Sequence, residues 1–204
     1  MSDIIGKDAR LLAAIAYGEA STANDPQEIG GIAFAVANRC RAWDGKTVSE
    51  LRTADPNYSY AWDGSNARFN KLMRTPDSEI ELNPGMKLAV YWAQKALAND
   101  GPDPSNGAFW WDGLDFQTNY ANHPKVRDGF KWGSASDNIF DVQEQRREVI
   151  VRWKVRNKKT GKIVDGVERG RYDSVWVSTA AHGSTVFWQH NPDYLKASGG
   201  KSYR

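Results

Sequence analysis

Two stretches decide how this chain folds: LLAAIAYGEA at residues 11–20 and GGIAFAVANR at residues 30–39. In the first, Leu11, Leu12, Ile15 and Glu19 recur at helical spacing on one stripe, which predicts a helix over 8–20. The second follows Asp25-Pro26, a helix start with Asp as cap and Pro in the first position. From there Ile29, Ile32, Ala33, Val36, Ala37 and Cys40 form a second apolar stripe, which puts the only cysteine on a core face as a small hydrophobe. Outward from this pair, Asn83-Pro84 opens a third helix that runs to about Ala98 on Met86, Ala89, Val90, Ala93 and Leu97. Thr47 to Leu51 reads as a short helical turn, and residues 53–66, rich in turn formers and aromatics, as a loop or short hairpin. A breaker cluster at 99–107 precedes the short aromatic segment AFWWDGLDFQTNY.

The pattern changes after about Phe140. Val149, Val151, Trp153 and Val155 alternate with Ile150, Arg152, Lys154 and Arg156, as in a strand with one polar face. Asn157 to Gly161 reads as a hairpin turn with Lys162 to Val167 returning, and 174–179 and 185–188 are further strands. The expected fold is therefore α+β, a single domain over 1–204 with a mainly helical core and a small β-rich part in its C-terminal third.

Charge is unevenly spread. Residues 1–123 carry net −5 and residues 124–204 net +7, giving +2 overall. That total does not mark a nucleic-acid binder, and no nucleic-acid partner is expected. No window approaches the ~18 apolar residues of a membrane span, and the N-terminus lacks the pattern of a classical signal peptide. His123, His182 and His190 match no short ligand spacing, and the acidic loop around Asp100 and Asp103 lacks EF-hand order, so neither metal nor cofactor is expected. Nine Trp among 204 residues is a high count, because a buried indole N–H needs a partner. Exposed rings that bind a flat polar ligand are one outlet for them.

Glu19 is the residue whose position implies chemistry. It lies on the apolar stripe at the end of the first helix, where Gly18 and Ser21 break the pattern and leave it at a rim. Partial burial there disfavours the charged form and raises its pKa, as a general acid acting on a glycosidic oxygen requires. The alternative is a structural Glu bonded to backbone or Arg.

These residues resemble the opening of the SleB-like cell-wall hydrolases, in which a helix ending in Glu-Ala precedes one with an Ala-Val run and an Asn-Arg pair. The likeness continues in YSYAWDG (58–64), in DPSNGAFWW (103–111) and in TVFW (185–188), covering about 8–123 and 183–188. The resemblance implies a lysozyme-like fold that cleaves the MurNAc-β-1,4-GlcNAc bond of peptidoglycan, as muramidase or lytic transglycosylase, with Glu19 as acid. It makes Asp63 the first choice for a second carboxylate, ahead of Asp55, Asp100 and Asp103. Ser59, Tyr60, Trp62, Asn106, Trp110 and Trp111 are the expected substrate contacts, while Trp43 and Trp92 fall to the core. Family members lack the basic strand-rich segment at about 128–182, which is expected to pad the domain, to wall the cleft or to bind a partner. A hydrolase without a signal peptide implies an antibacterial toxin delivered to a target periplasm, for example by type VI secretion and restrained by an immunity protein, or a lysis enzyme. The rival reading is a non-catalytic peptidoglycan-binding module.

Overall fold

A computed structural model describes residues 5–55 and 64–204. Its first half is helical: α1 (Lys7–Glu19), α2 (Pro26–Ala42), α3 (Val48–Ala54), α4 (Ala67–Arg74), α5 (Asp77–Ile80) and α6 (Pro84–Ala98). Its second half carries β1 (Trp110–Asp112), α7 (Asp115–Thr118), α8 (Pro124–Asp128), β2 (Phe130–Lys131), β3 (Val149–Arg156), β4 (Ile163–Tyr172), β5 (Trp176–His182), β6 (Thr185–His190) and α9 (Pro192–Ser198). This is the α+β arrangement expected.

Helix α1 is more central than its stripe implies. Leu11 to Tyr17 are all buried, including Ala13, Ala14 and Ala16, because α2, α4 and α6 surround it. A helix apolar on every side belongs in the middle of a core, and its alanines let those neighbours approach. Helix α2 starts as its sequence dictates: Asp25 accepts from Gln27 N and Glu28 N at 2.8 and 2.9 Å, with Pro26 in the first turn. Its Gly31 faces Phe187 of β6, whose ring would lie 2.4 Å from a Cβ there, so the glycine lets helix and sheet meet. Cys40 is buried, and burial pushes its thiol up to about 11, the state of an inert core residue.

Helix α4 was not anticipated. Its signal is Asn66 as cap, with Phe69 and Leu72 as the buried stripe. Strands β1, β6, β5 and β2 form one sheet in that order, antiparallel except for β5 with β2. The basic segment at 128–182 is thus not one separate unit. Its ends, β2 and β5, belong to the main sheet, and only β3 and β4 stand apart as a two-stranded ribbon.

The sheet also accounts for four of the nine tryptophans. Phe116, Phe130, Phe140, Val186 and Trp188 form a second core, lined by Trp110, Trp132 and Trp176. Its rings meet edge to face, as Phe116 and Phe130 do at 5.1 Å. The elements around it are two to ten residues long, so large rings supply the apolar volume that short strands and turns cannot. The cost is visible at Trp176 and Trp188, whose buried indole N–H groups find no acceptor among the described residues.

Candidate active site

Glu19 closes α1, and Ala20 then turns to extended backbone, which leaves the carboxyl at the mouth of the helix layer. Gly18 beside it touches the start of α4, where a Cβ would lie 3.0 Å from Asn66 and Phe69 side-chain atoms. This close approach lets Asn66 do two things. Its Oδ1 caps α4 by accepting from Phe69 N at 3.0 Å, and its Nδ2 donates to Glu19 Oε1 at 3.1 Å. The Trp111 indole N–H also donates to the Glu19 carboxyl.

Burial raises the Glu19 pKa above the usual carboxylate value, and the nearby charge of Asp115 pushes the same way. The hydrogen bonds from Asn66 and Trp111 oppose that rise without cancelling it. Asn66→Ala is expected to cost about 1 kcal/mol of stability for the lost cap. It should also move the Glu19 titration further up, because a donor to the ionised form is gone. Chemical denaturation checks the first effect and the carboxyl shift in NMR titration the second.

Glu19 opens onto a cavity of about 570 Å³, within the range of about 300–1,000 Å³ typical of small-molecule sites. Its other lining residues include Asn66, Trp111, Asp112, Asp115 and Thr185. Strand β1 supplies Trp111 and Asp112 because it pairs antiparallel with β6, with Trp111 opposite Phe187. The loop before it is fixed by Asp103, which accepts from Ser105 N, Ser105 Oγ and Gly107 N at 2.7–3.0 Å and from Asn38 Nδ2 at 2.8 Å. Two of the stretches that carried the family resemblance thus meet at an Asn38–Asp103 hydrogen bond, which anchors the approach to β1.

Beneath the cavity, Asp112 is held by Lys125 Nζ at 2.9 Å and faces His123 Nε2 at 3.4 Å. Burial alone would push Asp112 up. The Lys125 charge and the His123 contacts outweigh it and hold the carboxyl below its ordinary value. His123 Nδ1 accepts from Lys125 N at 3.3 Å, which leaves Nε2–H to donate to Asp112. Asp112, Asp115 and His123 lie close enough to ligate one cation. The Lys125 ammonium already occupies the cationic role there, so a metal would have to displace it.

Asp115 differs from Asp112 in exposure, although its Oδ2 also lies 3.9 Å from His123 Nε2. Its side chain is 69% exposed, it opens α7, and its Oδ1 accepts from Gly113 N at 3.1 Å. The carboxyls on the cavity are thus one with a raised pKa, one locked in an ion pair and one open to solvent.

The expected site residues are distributed as follows. Glu19 and Trp111 line the cavity. Trp110, one strand position along, points to the opposite side of the sheet and packs on Trp176 and His190 at 4.9 and 4.7 Å. It lines a different cavity with Arg39, Trp43 and Arg204. The period of two in a β-strand forces this split: adjacent rings cannot share a face. Asn106 is also away from Glu19, with its amide donating to Thr179 O at 3.2 Å. Asp55 pairs with buried Arg39 and Asp100 with Lys95, so neither borders the cavity. Ser59, Tyr60, Trp62 and Asp63 lie outside the described residues.

Sequence reasoning missed Asn66, Asp112, Asp115, His123 and Lys125. For Asp112 the strand alternation after Trp110 is the one available signal. Nothing local marks Lys125, which reaches Asp112 across thirteen residues of chain. No family model, curated protein sequence or solved structure matches this chain.

Proposed function

We propose that the chain cleaves glycosidic bonds in the glycan strands of peptidoglycan, with Glu19 as general acid. The observation that carries this reading is the pair of carboxyls on one cavity in opposed environments: Glu19 half-buried with a raised pKa, Asp115 open to solvent. A carboxyl whose pKa is raised by burial suits the acid role, and a solvent-exposed carboxyl beside it suits charge stabilisation. Glycoside cleavage needs a proton for the leaving oxygen and negative charge near the anomeric carbon as it becomes oxocarbenium-like. Protonated Glu19 supplies the first. Asp115 supplies the second and is free to orient the attacking water. Attack by water gives a hydrolase product, and attack by the muramic acid 6-hydroxyl gives an anhydro end with the same acid. Asp112 does not serve as base, because its lone pairs face Lys125 and His123. The lysozyme-like character of the fold and the choice of peptidoglycan as substrate belong to this proposal and rest on the sequence resemblance.

Dye release from labelled sacculi tests it. Soluble fragments are expected from the wild type. Protein that pellets with sacculi but releases nothing favours the binding-module reading and overturns this one.

The pH dependence has a defined sign. Activity needs Glu19 protonated, so it falls as pH rises through a Glu19 pKa that lies above the ordinary carboxylate value. Asp115→Asn removes a charge that raises this pKa, so the alkaline limb of kcat/KM is expected to move to lower pH while the maximal rate drops. An unmoved limb would separate Asp115 from Glu19.

A further inference from the structure

Among the eight described tryptophans only Trp153 is exposed, at 50%. It sits on the β3–β4 ribbon, which stands outside the main sheet. On the same face, Val155, Val164 and Val167 are 45, 40 and 74% exposed. The inner half of that face is covered, since Gly170 packs against Ala197 of α9. The outer half stays exposed, with the Arg169 guanidinium over one part of the Trp153 ring.

Residues 149–172 hold eight Lys and Arg against Asp165 and Glu168, net +6, so the other 180 residues carry net −4. The few acids are already engaged. Lys154 pairs with Asp165, and Arg171 bridges Glu148 and Glu168. Arg156, Lys158, Lys159, Lys162 and Arg169 form no ion pair among the described residues. The guanidinium of Arg169 lies 4.6 Å from the Trp153 ring centroid. The tip that carries the lysines is a built turn: Asn157 Oδ1 accepts from Lys159 N and Thr160 N at 2.8 and 3.1 Å, and Gly161 takes positive φ.

The apolar strip is small. Two strands about 4.8 Å apart over five residues present roughly 150 Å², against about 800 Å² per partner in a stable protein interface. A weak site of this size gains by acting on a repetitive polymer already held at a second point, where effective concentration multiplies affinity. The polymer must be anionic to match the ribbon cations that form no ion pair among the described residues and must offer small apolar faces to Trp153.

We propose that the outer half of the β3–β4 ribbon is an auxiliary binding surface for peptidoglycan, with Trp153 under a sugar or peptide unit and the unpaired cations taking stem-peptide carboxylates. The choice of polymer rests on the function proposed above; the surface itself does not.

The test is co-sedimentation of full-length Glu19→Gln protein, which leaves the polymer uncut. Three probes are compared: sacculi, sacculi stripped of stem peptides by an amidase, and phosphatidylglycerol vesicles. Ribbon variants are Trp153→Ala and the triple reversal Lys158→Glu, Lys159→Glu, Lys162→Glu, all at exposed positions. Expected results are a loss of sacculus affinity of about tenfold for the triple variant and a few-fold for Trp153→Ala. Raised salt and stem-peptide removal should both weaken binding. Equal sacculus binding by the variants, or ribbon-dependent binding to vesicles but not sacculi, would overturn the proposal. With Glu19 restored, the same ribbon variants should cleave short soluble glycan fragments at the wild-type rate. If no protein cleaves but sacculus binding still tracks the ribbon, the glycosidase reading fails and the ribbon assignment stands.

Discussion

Glu19→Gln is expected to lower the rate of peptidoglycan cleavage by about 10²–10⁴-fold, the contribution of a positioned general acid. The amide keeps the shape and still accepts from Asn66 Nδ2, which lies 3.1 Å from Oε1 in the wild type. It cannot deliver a proton. Stability should be retained or slightly raised, because half-burying a neutral amide costs less than half-burying a carboxylate. Loss of activity with an intact unfolding transition therefore assigns the effect to chemistry. The readout is initial rate on sacculi beside a thermal melt of each protein. A variant that cleaves within tenfold of wild type would remove Glu19 from the acid role.

The second large effect concerns the floor of the cavity. Lys125→Met removes the cation from Asp112 while keeping an apolar stem against Trp176, over whose ring the ammonium sits at 4.8 Å from the centroid. Breaking one partner of a buried ion pair leaves an uncompensated charge, and a loss of about 3–5 kcal/mol is expected. For a chain of this size that is a fall in Tm of roughly 6–20 °C.

The pH dependence gives the mechanism away. In the wild type the folded Asp112 pKa is depressed, so its contribution is present above the unfolded value of about 3.9 and is lost as pH falls through the folded pKa. In the variant the Lys125 charge and hydrogen bond that oppose burial are gone while the His123 contacts remain, so the folded Asp112 pKa is expected to rise. The destabilisation should then be largest at neutral pH and shrink as pH falls toward 4. Denaturant unfolding at pH 7 and pH 4.5 checks this. An equal cost at both would mean that Lys125 acts through packing alone.

How much of this was readable from the residues depends on range. Local signals were clear: the Asp25-Pro26 cap, the apolar faces of α1, α2 and α6, the β3–β4 alternation and the turn at Asn157 all depend on near neighbours. Glu19 stood out because a charged group on an apolar stripe conflicts with its surroundings, and such conflicts mark sites. Glu28 escaped notice although it is fully buried, with Ser21, Ser184 and Thr185 donating to its carboxylate. Its partners come from a loop and a strand more than 150 residues apart in sequence, and no periodicity reports that. The Trp110–Trp111 pair misled for the opposite reason. Adjacency in sequence suggested one glycan-facing platform, whereas a strand sends the two rings to opposite faces. The tryptophan count itself pointed to a ligand, whereas the second aromatic core takes four of the nine and the helical core buries Trp43 and Trp92.

The central claim is that the Glu19 cavity cuts glycan. Mass spectrometry of the soluble products from purified sacculi tests it most directly. The expected result is muropeptides with intact stem peptides and new ends at muramic acid: reducing ends if water attacks, 1,6-anhydro ends if the 6-hydroxyl does. Intact glycan chains with severed stem peptides would contradict the account.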